Sequence, residues 1–204
     1  MPELEPTYIS LGRWTRGWSG AGELPVTRTL SKSRWDVTIH SFYWVASGGY
    51  DTVAISSGAP LSIARCKLAI SQRDQVQTEL LTAVATYRTD DTAARTAGTA
   101  LYLTLGRYVD GTKTPQAATG EHADRLASLQ RETGVVPIEM YDVVAGDGSA
   151  DWVGLSAAPS LDALSQCKVA LAREAGLRTS SLWVFAEPDL RQLEHDVRSA
   201  TERS

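Results

Sequence analysis

At 204 residues, with 43% apolar and 22% charged residues, the chain has the composition of a folded protein and not of a disordered one. A formal net charge of −4 lacks the basic excess that supplies most nucleic-acid affinity, and it disfavours an anionic membrane surface. No apolar run reaches the roughly 18 residues that a membrane span requires. The acidic start Met1-Pro2-Glu3-Leu4-Glu5-Pro6 lacks the apolar core of a signal peptide, so a cytoplasmic protein is expected.

Residues 1–33 read as an N-terminal arm. Between Gly12 and Gly22 lie four Gly, two Trp and two Arg, a glycine density that opposes regular structure. Tyr8 to Leu11 could add as a short strand. Residues 34–110 form a first unit. Trp35 to Ser47 alternates as a strand, with Val37, Ile39, Ser41, Tyr43 and Val45 on one face. Gly48-Gly49 signals a hairpin, and Tyr50 to Ser56 returns. Pro60 then opens a helix ending near Gln75, with Leu61, Ala64, Leu68 and Ser71 as its stripe. Leu80 to Tyr87 makes a third strand. The stretch 92–109 supports either a helix, from Ala93, Ala97, Leu101 and Leu105, or a strand over Leu101 to Leu105.

Residues 111–136 read as a linker and a short helix, Glu121 to Thr133, closed by Gly134. Residues 137–204 repeat the first grammar. Ile138 to Ala145 is a strand, Gly146 to Ser149 a turn, and Asp151 to Ser156 the return. Pro159 opens a helix with Leu161, Leu164, Val169 and Leu171, ended by Gly176. Ser181 to Ala186 follows, its run Leu182-Trp183-Val184-Phe185 reading as a strand buried on both sides. A last helix begins near Pro188.

The repetition reaches individual residues. Cys66-Lys67-Leu68-Ala69-Ile70 reappears as Cys167-Lys168-Val169-Ala170-Leu171, and Cys66–Ala85 aligned on Cys167–Ala186 gives six identities in twenty columns. A period near 100 residues suits a duplicated small domain, not a solenoid. The expected fold is therefore α+β. Two ββαβ units come from an internal duplication, their sheets joined or packed into one globule, with a ligand cleft on a pseudo-twofold axis. Two Cys make no disulfide framework, and both are expected to be packing residues inside equivalent helices.

Chemistry-bearing motifs are scarce. His40, His122 and His195 lie far apart, and no spacing suits a metal, so neither a metal nor a cofactor is expected. Asp147 and Asp151 fit a turn better than a calcium loop. Asp90-Asp91 and Glu187 to Asp189 fit helix caps. No phosphate loop and no nucleophile elbow occurs, and no catalytic residue is assigned.

The most distinctive cluster is Arg13, Trp14, Arg16 and Trp18, residue types enriched where proteins meet partners. The first expectation is thus a non-enzymatic interaction or assembly component that binds a protein partner or itself through the arm. The four Lys against sixteen Arg, a mark of GC-rich coding, suggest a viral or mobile-element origin. The alternative is a small-molecule binder or enzyme whose cleft between the repeats is lined by Asp36, His40, Tyr43, Tyr141 and Trp183. Nucleic-acid binding ranks third, by Arg–Trp stacking on single strands.

Overall fold

The structure is a computed structural model and describes residues 6–15, 35–74, 76–89, 99–109 and 120–186. The arm beyond Thr15, the linker at 110–119, His195 and the last helix lie outside these residues. The described elements are β1 (Thr7–Trp14), β2 (Val37–Ser47), β3 (Thr52–Gly58), α1 (Pro60–Asp74), β4 (Val76–Arg88), β5 (Ala100–Tyr108), α2 (Gly120–Glu132), β6 (Val136–Ala145), β7 (Trp152–Ala158), α3 (Leu161–Ala175) and β8 (Leu177–Ala186). The ambiguous stretch before Val109 is thus a strand, β5. None of these helices is long and apolar enough to cross a membrane.

The chain divides into two compact units. The N-terminal unit takes the described residues from Ser10 to Thr78 and from Val184 on. The C-terminal unit takes those from Glu79 to Trp183 and those up to Ile9. In the first, strand order is β1-β3-β2; in the second it is β8-β5-β7-β6-β4. The pairs β2/β3, β4/β6, β5/β7 and β6/β7 are antiparallel.

Hydrogen bonds make the duplication explicit. In the N-terminal unit, Asp51 donates its N–H to the Gly12 carbonyl (2.8 Å), accepts from the Val45 N–H (2.9 Å), and takes the Trp14 N–H on its carboxylate (2.8 Å). In the C-terminal unit, Asp151 does the same with Gly106 (2.8 Å), Val143 (2.9 Å) and Tyr108 (3.1 Å). The aspartate follows the hairpin turn and ties the neighbouring strand to it, so one side chain serves a backbone donor that the ladder leaves over.

A β-bulge also recurs. The β2/β3 register shifts between Ile39 and Ser41, opposite Ser56 and Ile55. The β6/β7 register shifts between Pro137 and Glu139, opposite Ser156 and Leu155. His40 and Ile138 are the extra residues. These matches pair β1 with β5, β2 with β6, β3 with β7, α1 with α3 and β4 with β8. Each unit is α+β with the expected ββαβ grammar, and each begins one strand earlier than the sequence suggested. The strand β1 is part of what read as an arm.

The helices differ in definition. Ser160 caps α3, its hydroxyl accepting from the Ala163 N–H at 3.1 Å, and Gly176 closes it in the left-handed conformation (φ 63°). The inward stripe of α3 is Leu164, Cys167 and Leu171. That of α1 is Ile63, Cys66 and Ile70 in the same phase, with Lys67 beside them. The stripe read from the sequence for α1 was the wrong one: Leu61 and Leu68 are about 60% exposed. Both faces of α1 carry apolar residues, so periodicity alone could not choose between them. On α3, Leu161 and Val169 likewise point out.

The run Leu182 to Phe185 is not buried on both sides. Leu182 and Val184 are buried, whereas Trp183 is 42% exposed. Strand alternation overrides the uniform apolar composition.

Candidate ligand-binding site

The helix-facing side of each sheet decides what each unit can hold. In the C-terminal unit that side is filled. Tyr102, Met140, Trp152, Leu164, Cys167, Leu171 and Leu177 form a buried cluster, joined by Ala123, Leu126 and Ala127 of α2. Trp152 is its largest member. A Cβ on Gly154 would meet the Trp152 indole at 2.2 Å, and one on Gly106 would meet it at 3.1 Å and Leu177 at 2.9 Å. Those two glycines are the room in which the indole lies.

In the N-terminal unit the same side holds a cavity of about 90 Å³. Its residues all lie between Ser10 and Thr78. Strand β1 contributes Ser10, Gly12 and Trp14; β3 contributes Thr52, Ala54 and Ser56. Val37, Ile39, Phe42 and Trp44 come from β2, Ile63, Cys66, Lys67 and Ile70 from α1, and Val76 and Thr78 from β4. Thr52 stands where the other unit has Trp152, and Ala54 where it has Gly154. The space that an indole fills in one unit is left open in the other.

The bulge at His40 sets the β2 wall. Strict alternation would send Phe42 and Trp44 to the face opposite Ile39. The extra residue reverses the parity, so Val37, Ile39, Phe42 and Trp44 all line the cavity. Tyr43 is thereby turned away and is 2% exposed.

The lining is mainly apolar, with hydroxyls from Ser10, Thr52, Ser56 and Thr78, one thiol and one ammonium. Burial pushes the Cys66 thiol above its ordinary value of 9.0, so it stays protonated and is no ready nucleophile. Cys167 is pushed up in the same way, with a hydrogen bond from Thr133 acting against burial. Both cysteines are free and buried, as expected of packing residues.

In the C-terminal unit, Tyr108 Oη and His122 Nε2 lie 2.8 Å apart, joining β5 to α2. Burial, then the Asp142 and Asp151 carboxylates, raise the Tyr108 phenol. Burial, then Arg125, lowers His122, which favours the neutral imidazole beside the protonated phenol.

The residues nominated from sequence are dispersed. Asp36 is exposed at positive φ (54°) just before β2. His40 is exposed on the bulge, Nε2 2.9 Å from Ser57 Oγ. Tyr141 is buried and donates to Glu139 Oε2 at 2.6 Å. None of Asp36, His40, Tyr43, Tyr141 and Trp183 lines the cavity.

Of the arm cluster, Arg13 donates to the Gly49 carbonyl (2.5 Å) and lies over the Tyr50 ring, while the Trp14 side chain lines the cavity. Arg16 and Trp18 lie outside the described residues. Asp147 Oδ1 accepts the Ser149 N–H at 2.8 Å, the turn role expected of it.

No family model matches the chain, and no curated protein is significantly similar to it. Its fold is nevertheless found among solved structures. A tryptophan-to-valine variant of chlorite dismutase from Candidatus Nitrospira defluvii superposes with a TM-score of 0.56 at 12% identity, over 90% of this chain and 92% of that one. A second variant of that enzyme, in complex with cyanide, gives 0.55 at 11% identity, over 91% and 92%. The same enzyme in complex with imidazole gives 0.53 at 12% identity, over 88% and 90%.

The chain thus has the duplicated α+β fold of chlorite dismutases. This overturns the expectation of a non-enzymatic assembly component and, with it, the interaction, structural and viral readings. The scaffold found in solved structures is an enzyme scaffold, and the Gly, Trp and Arg stretch that suggested an arm begins within its first strand.

Proposed function

We propose that this chain is a small-molecule-binding protein whose site is the cavity of the N-terminal unit. The observation that carries the reading is the contrast at one position: Thr52 leaves open the space that Trp152 fills in the repeat. Empty space in a packed protein forfeits dispersion contacts, and a cavity of this kind gains them back from a ligand. Apolar cavities of about 150 Å³ take benzene, so one of about 90 Å³ suits a compact ligand of a few heavy atoms.

Chlorite dismutases are haem enzymes, and the described residues do not fit that group. The helix-facing side of the C-terminal unit is occupied by Trp152, Leu164, Leu171 and Leu177. The N-terminal cavity falls well short of the roughly 300–1,000 Å³ of cofactor-sized pockets. Among the described residues, no histidine lines it, and Cys66 is its one sulfur.

Xenon and benzene test the reading. Amide and methyl shifts on titration are expected to change around Thr52, Ile63 and Ile70 and to stay fixed around Trp152. Thr52→Trp is expected to abolish them. Binding that survives Thr52→Trp, or shifts centred on the C-terminal unit, overturns the assignment.

A further inference from the structure

Among the described residues that line the cavity, Lys67 carries the only formal charge. It belongs to the inward stripe of α1 with Ile63, Cys66 and Ile70, at spacings of three and four residues, so it shares the face that the helix turns to the sheet. Among the described residues, no carboxylate lines the cavity, and the Lys67 ammonium makes no ion pair or hydrogen bond. A lysine in this place lays its methylene stem along the apolar wall and carries its charge at the end. The sheet opposite offers the Thr52 hydroxyl, which donates to an anion as readily as it accepts.

Building on the cavity reading, we infer that the ligand is a short apolar monocarboxylate. The hydrocarbon part fills the space opposite Thr52, and the carboxylate is received by the Lys67 ammonium with a hydroxyl of the sheet. A neutral ligand would leave the ammonium to water alone at the edge of an apolar space. A cation would be repelled. A dianion would bring one charge more than the lining can answer.

The experiment compares isovalerate with isovaleramide, its near-isosteric neutral amide, by calorimetry and chemical-shift titration on the full chain. Isovalerate is expected to bind at least about tenfold more tightly, with a preference that weakens as salt rises. Lys67→Met is expected to remove the preference of acid over amide. Lys67→Arg, which keeps the charge, is expected to retain most of it.

Equal binding of acid and amide, or a preference unchanged in Lys67→Met, overturns the carboxylate assignment and leaves the cavity reading standing. If xenon, amide and acid all fail to bind, the cavity reading falls, and this inference with it.

Discussion

The two units of this protein carry the same hydrogen-bond scaffold around different interiors. Asp51 and Asp151 tie their strands alike, the bulges at His40 and Ile138 fall opposite equivalent serines, and Cys66 and Cys167 occupy the same phase of their helices. Against that shared frame, Thr52 faces a cavity and Trp152 fills a core. The frame is set by backbone accounting, which tolerates few alternatives once a hairpin and its bulge are fixed. The interior is set by side-chain volume, which one substitution can change. Duplication therefore leaves one copy free to keep the packing while the other holds a cavity.

The sharpest way to break this comparison is to exchange the two residues. Trp152→Thr is expected to cost about 3–5 kcal/mol, the range for truncating a large buried side chain, read from chemical denaturation. The reverse change, Thr52→Trp, is expected to cost no more than about 3 kcal/mol, because the indole enters existing space and only misfit is penalised. Its position 54 is Ala where the repeat has Gly, so Thr52→Trp with Ala54→Gly is expected to recover part of that loss. Equal large losses for both single exchanges would show that the two interiors are packed alike.

Next in size are the tying aspartates. Asp51→Ala and Asp151→Ala each leave a backbone N–H without its carboxylate, and each is expected to cost about 1–3 kcal/mol. Similar losses would support equivalence. A loss at one site alone would show that the scaffold has diverged too.

The thiols give a kinetic test. Cys66 lines the cavity and Cys167 lies within the filled cluster, so a small neutral thiol reagent is expected to modify Cys66 several-fold faster. Mass spectrometry of peptides reads both sites at once. Thr52→Trp is expected to slow Cys66 and leave Cys167 unchanged.

The smallest effects are those of pH. Both thiols titrate higher in the folded chain than the ordinary 9.0, and the Tyr108 and Tyr141 phenols higher than the ordinary 10.0. The unfolded chain then releases protons first, so stability is full below about pH 9 and falls as pH rises above it. At the acid end, His122 titrates below its ordinary 6.5, so the unfolded chain takes up a proton first and stability falls as pH drops below that value. Denaturation midpoints of Cys66→Ala and Cys167→Ala are expected to fall less steeply on the alkaline side, and those of His122→Gln less steeply on the acid side. A steeper fall in a variant would reverse the assigned sign.

Much of the frame was legible. The Cys-Lys echo located the two inward helices, Gly176 and Gly134 marked helix ends, and the Gly-rich turns marked hairpins. The opening strand was half seen, at Tyr8 to Leu11, because the glycines after it read as an arm. None of the five residues nominated for a cleft between the repeats lines the cavity of the N-terminal unit. Those residues were chosen for their chemistry. His40, one of them, is the bulge that breaks the alternation read for β2.

Local rules therefore settled what the sequence alone determined here: most element types, their order, the repeat and the turn at Asp147 and Asp151. Each follows from backbone preference or periodicity within a few residues. The tertiary structure decided which apolar stripe of α1 faces inward, which parity β2 presents after its bulge, and that Thr52 stands where Trp152 fills the copy. Those outcomes depend on volumes meeting across a sheet and a helix, and no short window of sequence contains both sides of that contact.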